Sequence, residues 1–281
     1  MSKLEEYAIH SDVTRKLATM ILSSDIYIYI SGKINKLRDY KLVEEIKKNP
    51  VPDHVAIIMD GNRRFATVLG LKPDTGHIFG RDKIEELLDW CFELKIKNLT
   101  LYAFSTENFK RQSKEIKTLM KLCKDEMDKA AEDHRIHKNK VKVRIIGHIE
   151  SLPDDIKKSA KTLQNRTKEY DKYSLNIALA YGGREEITRA IKNIAQDIKE
   201  GKITVDDIKE AVVSKYMYTN GLPDPDLILR TSGEERLSNF LLWQLAYSEL
   251  YFSDVFWPAF QKRDFLRAIK TWQQRKRRYG K

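Results

Sequence analysis

The sequence predicts an α/β fold: a central, mostly parallel six-stranded sheet flanked by helices, with an N-terminal helical arm. Short, near-continuous apolar runs recur from Val55 onward, and helix-like stretches with apolar residues at every third and fourth position separate them. The length of 281 residues suits one large-cored domain with an appendage. Strands that read as unbroken Val/Ile/Leu, without polar alternation, belong to a parallel sheet covered on both faces.

The elements follow in order. Residues 1–50 stand apart, because "DIYIYISGKINKLRDYKLVEEIKKNP" reads as a helical pattern closed by Pro52 and forms an accessory arm ahead of the main domain, 51–281. Strand candidates are "VAIIM" (55–59), "LTLYAF" (99–104), "KVRIIG" (142–147), "LNIALAY" (175–181), "LILR" (227–230) and "ELYFSDV" (249–255). Helical patterns cover 82–96, 115–135, 154–170 and 184–200. Such a sheet binds ligands beyond the C-terminal ends of its strands. Those ends read "MDGNRR", "AFSTENFKR", "AYGGREE" and "LRTSGEER", whereas the opposite connections read "KNKV" and "DKYS". Arginine-rich, glycine-bearing chemistry thus gathers on one edge.

Composition narrows the partners. With 52 Lys and Arg against 41 Asp and Glu, the net charge of +11 favours an anionic ligand such as phosphates, nucleic acid or an acidic lipid surface. Cys91 and Cys123 sit inside apolar periodic segments, where packing explains them better than a disulfide or a metal site. The cysteine usage suggests a cytoplasmic chain. "MILSSDIYIYISG" is broken by Asp25 and too short to span a bilayer, so any membrane contact is expected to be peripheral.

Four constellations carry chemistry. Asp60 follows the first strand, where an Asp is most often a helix N-cap. Here Gly61 permits a tight turn and Asn62 is itself a good cap, which leaves the Asp60 carboxylate free for a hard cation such as Mg²⁺. Arg63, Arg64, Arg111, Arg184, Arg230 and Arg236 would each pass for a solvated charge alone. Arg230, however, closes an apolar strand and Arg236 returns six residues later to the same edge, so several guanidinium forks suggest a diphosphate-sized ligand. In "STEN", Ser105 or Thr106 could simply start the next helix, while Glu107 and Asn108 are harder to dismiss. Glu249 begins the last strand amid apolar neighbours, where its charge requires a cation or an arginine beside it.

Histidines are less informative. His77 is either structural or a donor to phosphate, and His134 with His137 lacks a third metal ligand and reads as a solvated helix face. Phosphate-binding loops of the G-x-x-x-x-G-K-[ST] type, dinucleotide fingerprints, serine nucleophile elbows and DDxxD motifs are all missing from the sequence.

"HVAIIMDGNRRFA", "LTLYAFSTENFKR", "LNIALAYGGREEI" and "DPDLILRTSGEERLSNFLLWQLAYSELYFSDVFWPAF" resemble the ordered signature regions of cis-prenyltransferases, the undecaprenyl and dehydrodolichyl diphosphate synthases, over about residues 51–281. The resemblance implies a Mg²⁺-dependent transferase that condenses isopentenyl diphosphate onto an allylic diphosphate, farnesyl or geranylgeranyl, to give a long Z-polyprenyl diphosphate. It implies that Asp60 and Glu249 hold the metal, and that Gly61, Asn62, Arg63, Arg64 and His77 bind the allylic diphosphate, with Asn62 aiding its departure. Ser105, Glu107, Asn108 and Arg111 would close over substrate and aid proton transfer, with Arg230, Arg236 and Ser238 as the isopentenyl diphosphate clamp. A dry tunnel would involve Leu87, Leu88, Cys91 and Leu101. In the tail, nine basic residues between 262 and 281 suit solvent or lipid, while "RRYG" resembles an element by which Arg278 and Gly280 reach across a homodimer.

The sequence also departs from the family pattern. Phe109 stands where many members have Trp, Glu235 where bacterial members often have His, and Pro73 where they carry an arginine; the arm and "LKPDTGH" look archaeal or eukaryotic. Two other readings compete. A nucleic-acid module would expose aromatics along a basic stripe, but the tyrosines and tryptophans lie in apolar segments, so no nucleic acid is expected. A phosphohydrolase using Asp60 as nucleophile would want D-x-D, and position 62 is Asn.

Overall fold

Apolar runs of four to nine residues build six strands: β1 (His54–Ile58), β2 (Asn98–Ser105), β3 (Val141–Ile146), β4 (Tyr173–Tyr181), β5 (Leu227–Arg230) and β6 (Glu249–Phe252). They pair in the order β3-β4-β2-β1-β5-β6, every neighbouring pair parallel. The computed structural model describes residues 25–275; positions 1–24 and 276–281, Arg278 and Gly280 among them, lie outside the described residues. The chain divides into Met1–Asn49 and Pro50–Lys281, and helix α1 (Asp25–Lys47) belongs to the first unit.

Between the strands run α2 (Asn62–Val68), α3 (Gly76–Leu94), α4 (Ser113–Ala130), α5 (His134–Lys138), α6 (Asp154–Thr167), α7 (Gly183–Lys199) and α8 (Glu210–Lys215), with α9 (Lys262–Gln274) after β6. All five residues of β1 are buried, as expected of a strand covered on both faces. The period-two pleat sorts side chains between the two faces. Ala56, Ala178 and Ile228 pack with Tyr181, Phe240 and Leu241 in one core cluster. Leu101, Ala103, Leu175, Ile177 and Leu179 line a cavity.

Helix α3 starts six residues earlier than its apolar pattern suggests, because Gly76 and Gly80 mask a helical run in which they are needed for close approach. A Cβ on Gly76 would lie 1.9 Å from the Asn62 carbonyl oxygen. His137, expected on a solvated helix face, is instead half-buried, its Nδ1 3.0 Å from Tyr170 Oη and its Nε2 2.9 Å from the Ala131 carbonyl. Among the described residues no helix is long and apolar enough to cross a membrane.

Candidate active site

The first residues beyond β1 and β5 meet at the carboxyl edge of the sheet. Ile58 and Arg230 are register partners, so Asp60 follows two residues past the point where Arg230 ends its strand. The turn at Asp60 is fixed from behind: its carbonyl accepts from Trp257 N at 3.0 Å and Thr231 Oγ1 at 2.7 Å. Gly61 then adopts φ 100°, and a Cβ there would sit 2.7 Å from the Phe256 ring, so only glycine fits the turn.

The Asp60 carboxylate is surrounded by donors. Oδ2 accepts from Arg230 Nη2 at 2.7 Å, Oδ1 accepts from Gly61 N at 2.6 Å, and Arg64 Nη2 stands 3.5 Å away. Burial pushes the Asp60 carboxyl up, but the Arg230 hydrogen bond and charge, the Gly61 N–H and Arg64 together outweigh it and hold the group below the usual carboxylate range. Arg230 is 3% exposed and also donates through Nη1 to Ser238 Oγ at 2.8 Å and to the Arg236 carbonyl.

Two carboxylates outside the expected set organise the remaining cations. Glu115, on the first turn of α4, meets Arg111 at 2.8 Å, Arg63 at 3.8 Å and His77 at 4.0 Å. Glu234 accepts from Arg64 Nη1 at 2.7 Å and pairs with Arg236. The i,i+4 spacing of Arg111 and Glu115 was visible in the sequence. Arg184 is exposed and contributes its backbone N–H to Asn239 Oδ1 at 2.9 Å.

The "STEN" segment forms a single 3₁₀ turn, Thr106–Lys110, closed by a capping box in which Ser105 N donates to Asn108 Oδ1 at 3.0 Å. Ser105 and Asn108 therefore cap the turn and line the cavity at once. Glu107 Oε1 accepts from Asn239 Nδ2 at 2.9 Å. Ser232, Ser238, Asn239 and Leu241 all take positive φ, so the loop after β5 stores strain beside these groups.

The polar mouth is a recess of about 450 Å³ walled by Asp60, Asn62, Arg63, Arg64, His77 and Arg111. It shares Asp60, Asn62, His77 and Arg111 with a second, largely apolar cavity of about 350 Å³ that runs under α3 and α4 past Leu88, Leu101, Leu119 and Ile177. Leu88 and Leu101 line the cavity as expected, whereas Leu87 and Cys91 are buried away from it in the core.

The family described as "Putative undecaprenyl diphosphate synthase" matches residues 58–280. The chain belongs to the cis-prenyltransferase family. It is 54% identical over 256 residues, 90% of this chain and 99% of the other, to a tritrans,polycis-undecaprenyl-diphosphate synthase (geranylgeranyl-diphosphate specific) of Thermoplasma volcanium. It is 52% identical over 251 residues to the Picrophilus torridus protein of the same description, covering 89% of this chain and 98% of that one. Among solved structures, lavandulyl diphosphate synthase from Lavandula x intermedia in complex with dimethylallyl diphosphate aligns with a TM-score of 0.79 and 33% identity, over 82% of this chain and 99% of the other. As a cis-prenyltransferase, the chain elongates an allylic diphosphate with isopentenyl diphosphate into a polyprenyl diphosphate.

One expected metal ligand is misplaced in this cis-prenyltransferase. Glu249 pairs in register with Leu227, the first residue of β5, so it lies at the amino edge of the sheet, opposite Asp60. Its Oε2 accepts from Arg275 Nη1 at 2.7 Å, the arginine that its charge required. Within one chain Asp60 and Glu249 cannot share an ion.

Among the described residues, no cluster of three or more His, Cys, Asp or Glu is arranged to hold a metal. The donor set still fits Mg²⁺, which takes one or two carboxylates and completes its shell with water and substrate phosphate. Asp60 supplies the carboxylate. Asn62 Oδ1, buried without a hydrogen-bond partner beside the same recess, is an acceptor suited to a metal-bound water.

Proposed function

We propose that the chain extends a geranylgeranyl-type allylic diphosphate with isopentenyl diphosphate, using Asp60 to hold Mg²⁺ and the arginines around it to hold two diphosphates. The observation that carries this reading is the junction of a cationic recess with an oily cavity through shared residues, the shape required by an anionic head joined to a hydrocarbon tail. The geranylgeranyl preference rests on the printed description of the Thermoplasma relative.

Each residue has a chemical part in this proposal. Arg63, Arg64 and His77 receive the allylic diphosphate, with Gly61 allowing its close approach. When bound, Mg²⁺ would neutralise diphosphate oxygens and so ease departure of the leaving group. Asn62 orients that end of the site, and Ser105, Glu107, Asn108 and Arg111 close over the substrates. Arg230, Arg236 and Ser238 clamp isopentenyl diphosphate, whose double bond attacks the allylic carbon as the allylic C–O bond to diphosphate breaks, and the proton released from its C2 passes to an oxygen of the departing diphosphate. Charge builds on the leaving diphosphate during ionisation, so fixed donors favour the transition state over the ground state.

Arg64 and Arg230 are already held by Glu234 and Asp60, so they need little reorganisation when phosphate arrives. The chain would act as a homodimer, with Arg278 and Gly280 contributing across it, and would meet membranes only at their surface. The test is incubation with Mg²⁺, labelled isopentenyl diphosphate and either geranylgeranyl or farnesyl diphosphate. A longer lipid diphosphate, formed faster from the geranylgeranyl primer, is expected; no incorporation from either primer refutes the proposal.

A further inference from the structure

The cationic recess draws its charge from three separate pieces of chain. Arg63 and Arg64 come from α2, His77 from the first turn of α3 and Arg111 from the segment ahead of α4, while Pro73 on the same wall brings no charge. Guanidinium groups gathered around one pocket repel one another, and each long side chain loses rotamer freedom when it is held inward. Arg64 is held by Glu234 at 2.7 Å and by Asp60 at 3.5 Å. The other three converge on a single oxygen.

Glu115 Oε1 lies 2.8 Å from Arg111 Nη1, 3.8 Å from Arg63 Nε and 4.0 Å from His77 Nε2. Glu115 is 7% exposed and sits in the first turn of α4, where the helix N-terminus favours a negative charge. A carboxylate buried this far is costly unless it is paired, and its partners are the residues that face the recess. Glu115 itself lines neither the recess nor the oily cavity, so it stands behind the cations and outside the reach of a ligand. Arg111 donates to it through Nη1, which leaves the other guanidinium N–H groups to turn toward phosphate.

We propose that Glu115 is a positioning residue for the allylic diphosphate, ordering Arg63, His77 and Arg111 toward the recess before that substrate arrives. This rests on the prenyl-elongation reading of the site. The isopentenyl diphosphate clamp depends on other partners, Arg230 on Asp60 and Ser238 and Arg236 on Glu234. Loss of the Glu115 charge therefore weakens one diphosphate site and spares the other. The carboxylate repels a diphosphate only from behind the intervening guanidinium groups, so the ordering it provides outweighs the repulsion.

The experiment compares the full-length parent with Glu115→Gln, which keeps the shape but not the charge, and Glu115→Asp, which keeps the charge on a shorter arm. Binding of geranylgeranyl diphosphate is titrated calorimetrically with Mg²⁺ and without isopentenyl diphosphate, and initial condensation rates give KM for each substrate. Glu115→Gln should raise Kd and KM for the allylic diphosphate about tenfold while KM for isopentenyl diphosphate stays within about threefold of the parent. Glu115→Asp should recover part of the loss. If Glu115→Gln does not fold, the Asp variant carries the test through a smaller rise confined to the allylic substrate. Unchanged or tighter allylic binding in a folded variant overturns the proposal, and so does an equal rise in both KM values, the mark of a merely structural residue. A parent that binds geranylgeranyl diphosphate but incorporates no isopentenyl diphosphate overturns the elongation reading, while the binding comparison still decides the role of Glu115.

Discussion

Arg230 Nη2 donates to Asp60 Oδ2 at 2.7 Å, tying together the ends of two adjacent strands at the mouth of the oily cavity. One guanidinium also reaches Ser238 Oγ and the Arg236 carbonyl, which an ammonium cannot do in the same geometry. Arg230→Lys should therefore lower kcat/KM by about 100-fold, as read from initial rates of isopentenyl incorporation. Activity within threefold of the parent would contradict the shared role. Asp60→Ala should lose turnover at least as severely while remaining folded.

The same pair sets a pH expectation. The folded-state pKa of Asp60 is lowered, so its stabilising contribution is present above the unfolded value of about 3.9 and is lost as pH falls through the lower folded value. Asp60 thus stays ionised across pH 5–8. Any acid limb in the condensation rate within that range should persist with unchanged midpoint in Arg64→Gln, which removes the weaker of the two cations acting on Asp60.

Chelation separates two kinds of metal site. With one protein carboxylate in the proposed donor set, Mg²⁺ alone should move the melting temperature by less than about 1 °C, whereas Mg²⁺ with an allylic diphosphate should raise it clearly. EDTA should abolish condensation and leave the substrate-free melting temperature unchanged. A large stabilisation by the ion alone would point to additional protein ligands.

Gly80 tests the position of Asn62. An added Cβ would lie 2.2 Å from Asn62 Oδ1 and 2.8 Å from Trp257 Cδ1. Gly80→Ala should displace the amide and cut kcat by about tenfold or more with a smaller effect on KM; a parental kcat would show that Asn62 is not needed in its observed place.

His54 lies in the core of the sheet, Nδ1 2.7 Å from the Pro223 carbonyl and Nε2 2.7 Å from Thr100 Oγ1. Burial lowers its pKa, against the Pro223 hydrogen bond and the charges of Asp226 and Asp53. The unfolded chain then binds more protons than the folded one below about pH 6.5, so stability is full above that value and falls on acidification toward the folded pKa. Melting curves between pH 5 and 8 should show this slope in the parent and a flatter one in His54→Gln.

The sheet was legible because burial on both faces leaves an apolar run that needs no context, and Asp60 and Arg230 could be placed because each directly follows such a run. Glu249 shows the limit of residue-by-residue transfer. As the first residue of a parallel strand it lies on the rim opposite Asp60, so within one chain the two carboxylates do not meet. Leu87 and Leu88 differ by a single 100° step on α3, so the helical pattern alone could not say which faces the cavity. Glu115 and Glu234 look like ordinary surface charges in the sequence, since beyond their neighbours Arg111 and Arg236 the partners that give them a place in the site, Arg63 and Arg64, arrive from another crossover. The left-handed residues Ser238, Asn239 and Leu241 carry no glycine to announce them.

The amino edge of the sheet offers a contrast. There Asp226 accepts from the backbone N–H groups of Asp53 and His54 at 2.7 and 3.0 Å, and Glu249 is matched by Arg275. These polar groups hold the chain together and line neither the cationic recess nor the oily cavity. A randomised library at this rim would accordingly sort by expression and heat resistance, whereas one at the opposite rim would sort by turnover, giving a protein engineer two nearly independent dials on one scaffold.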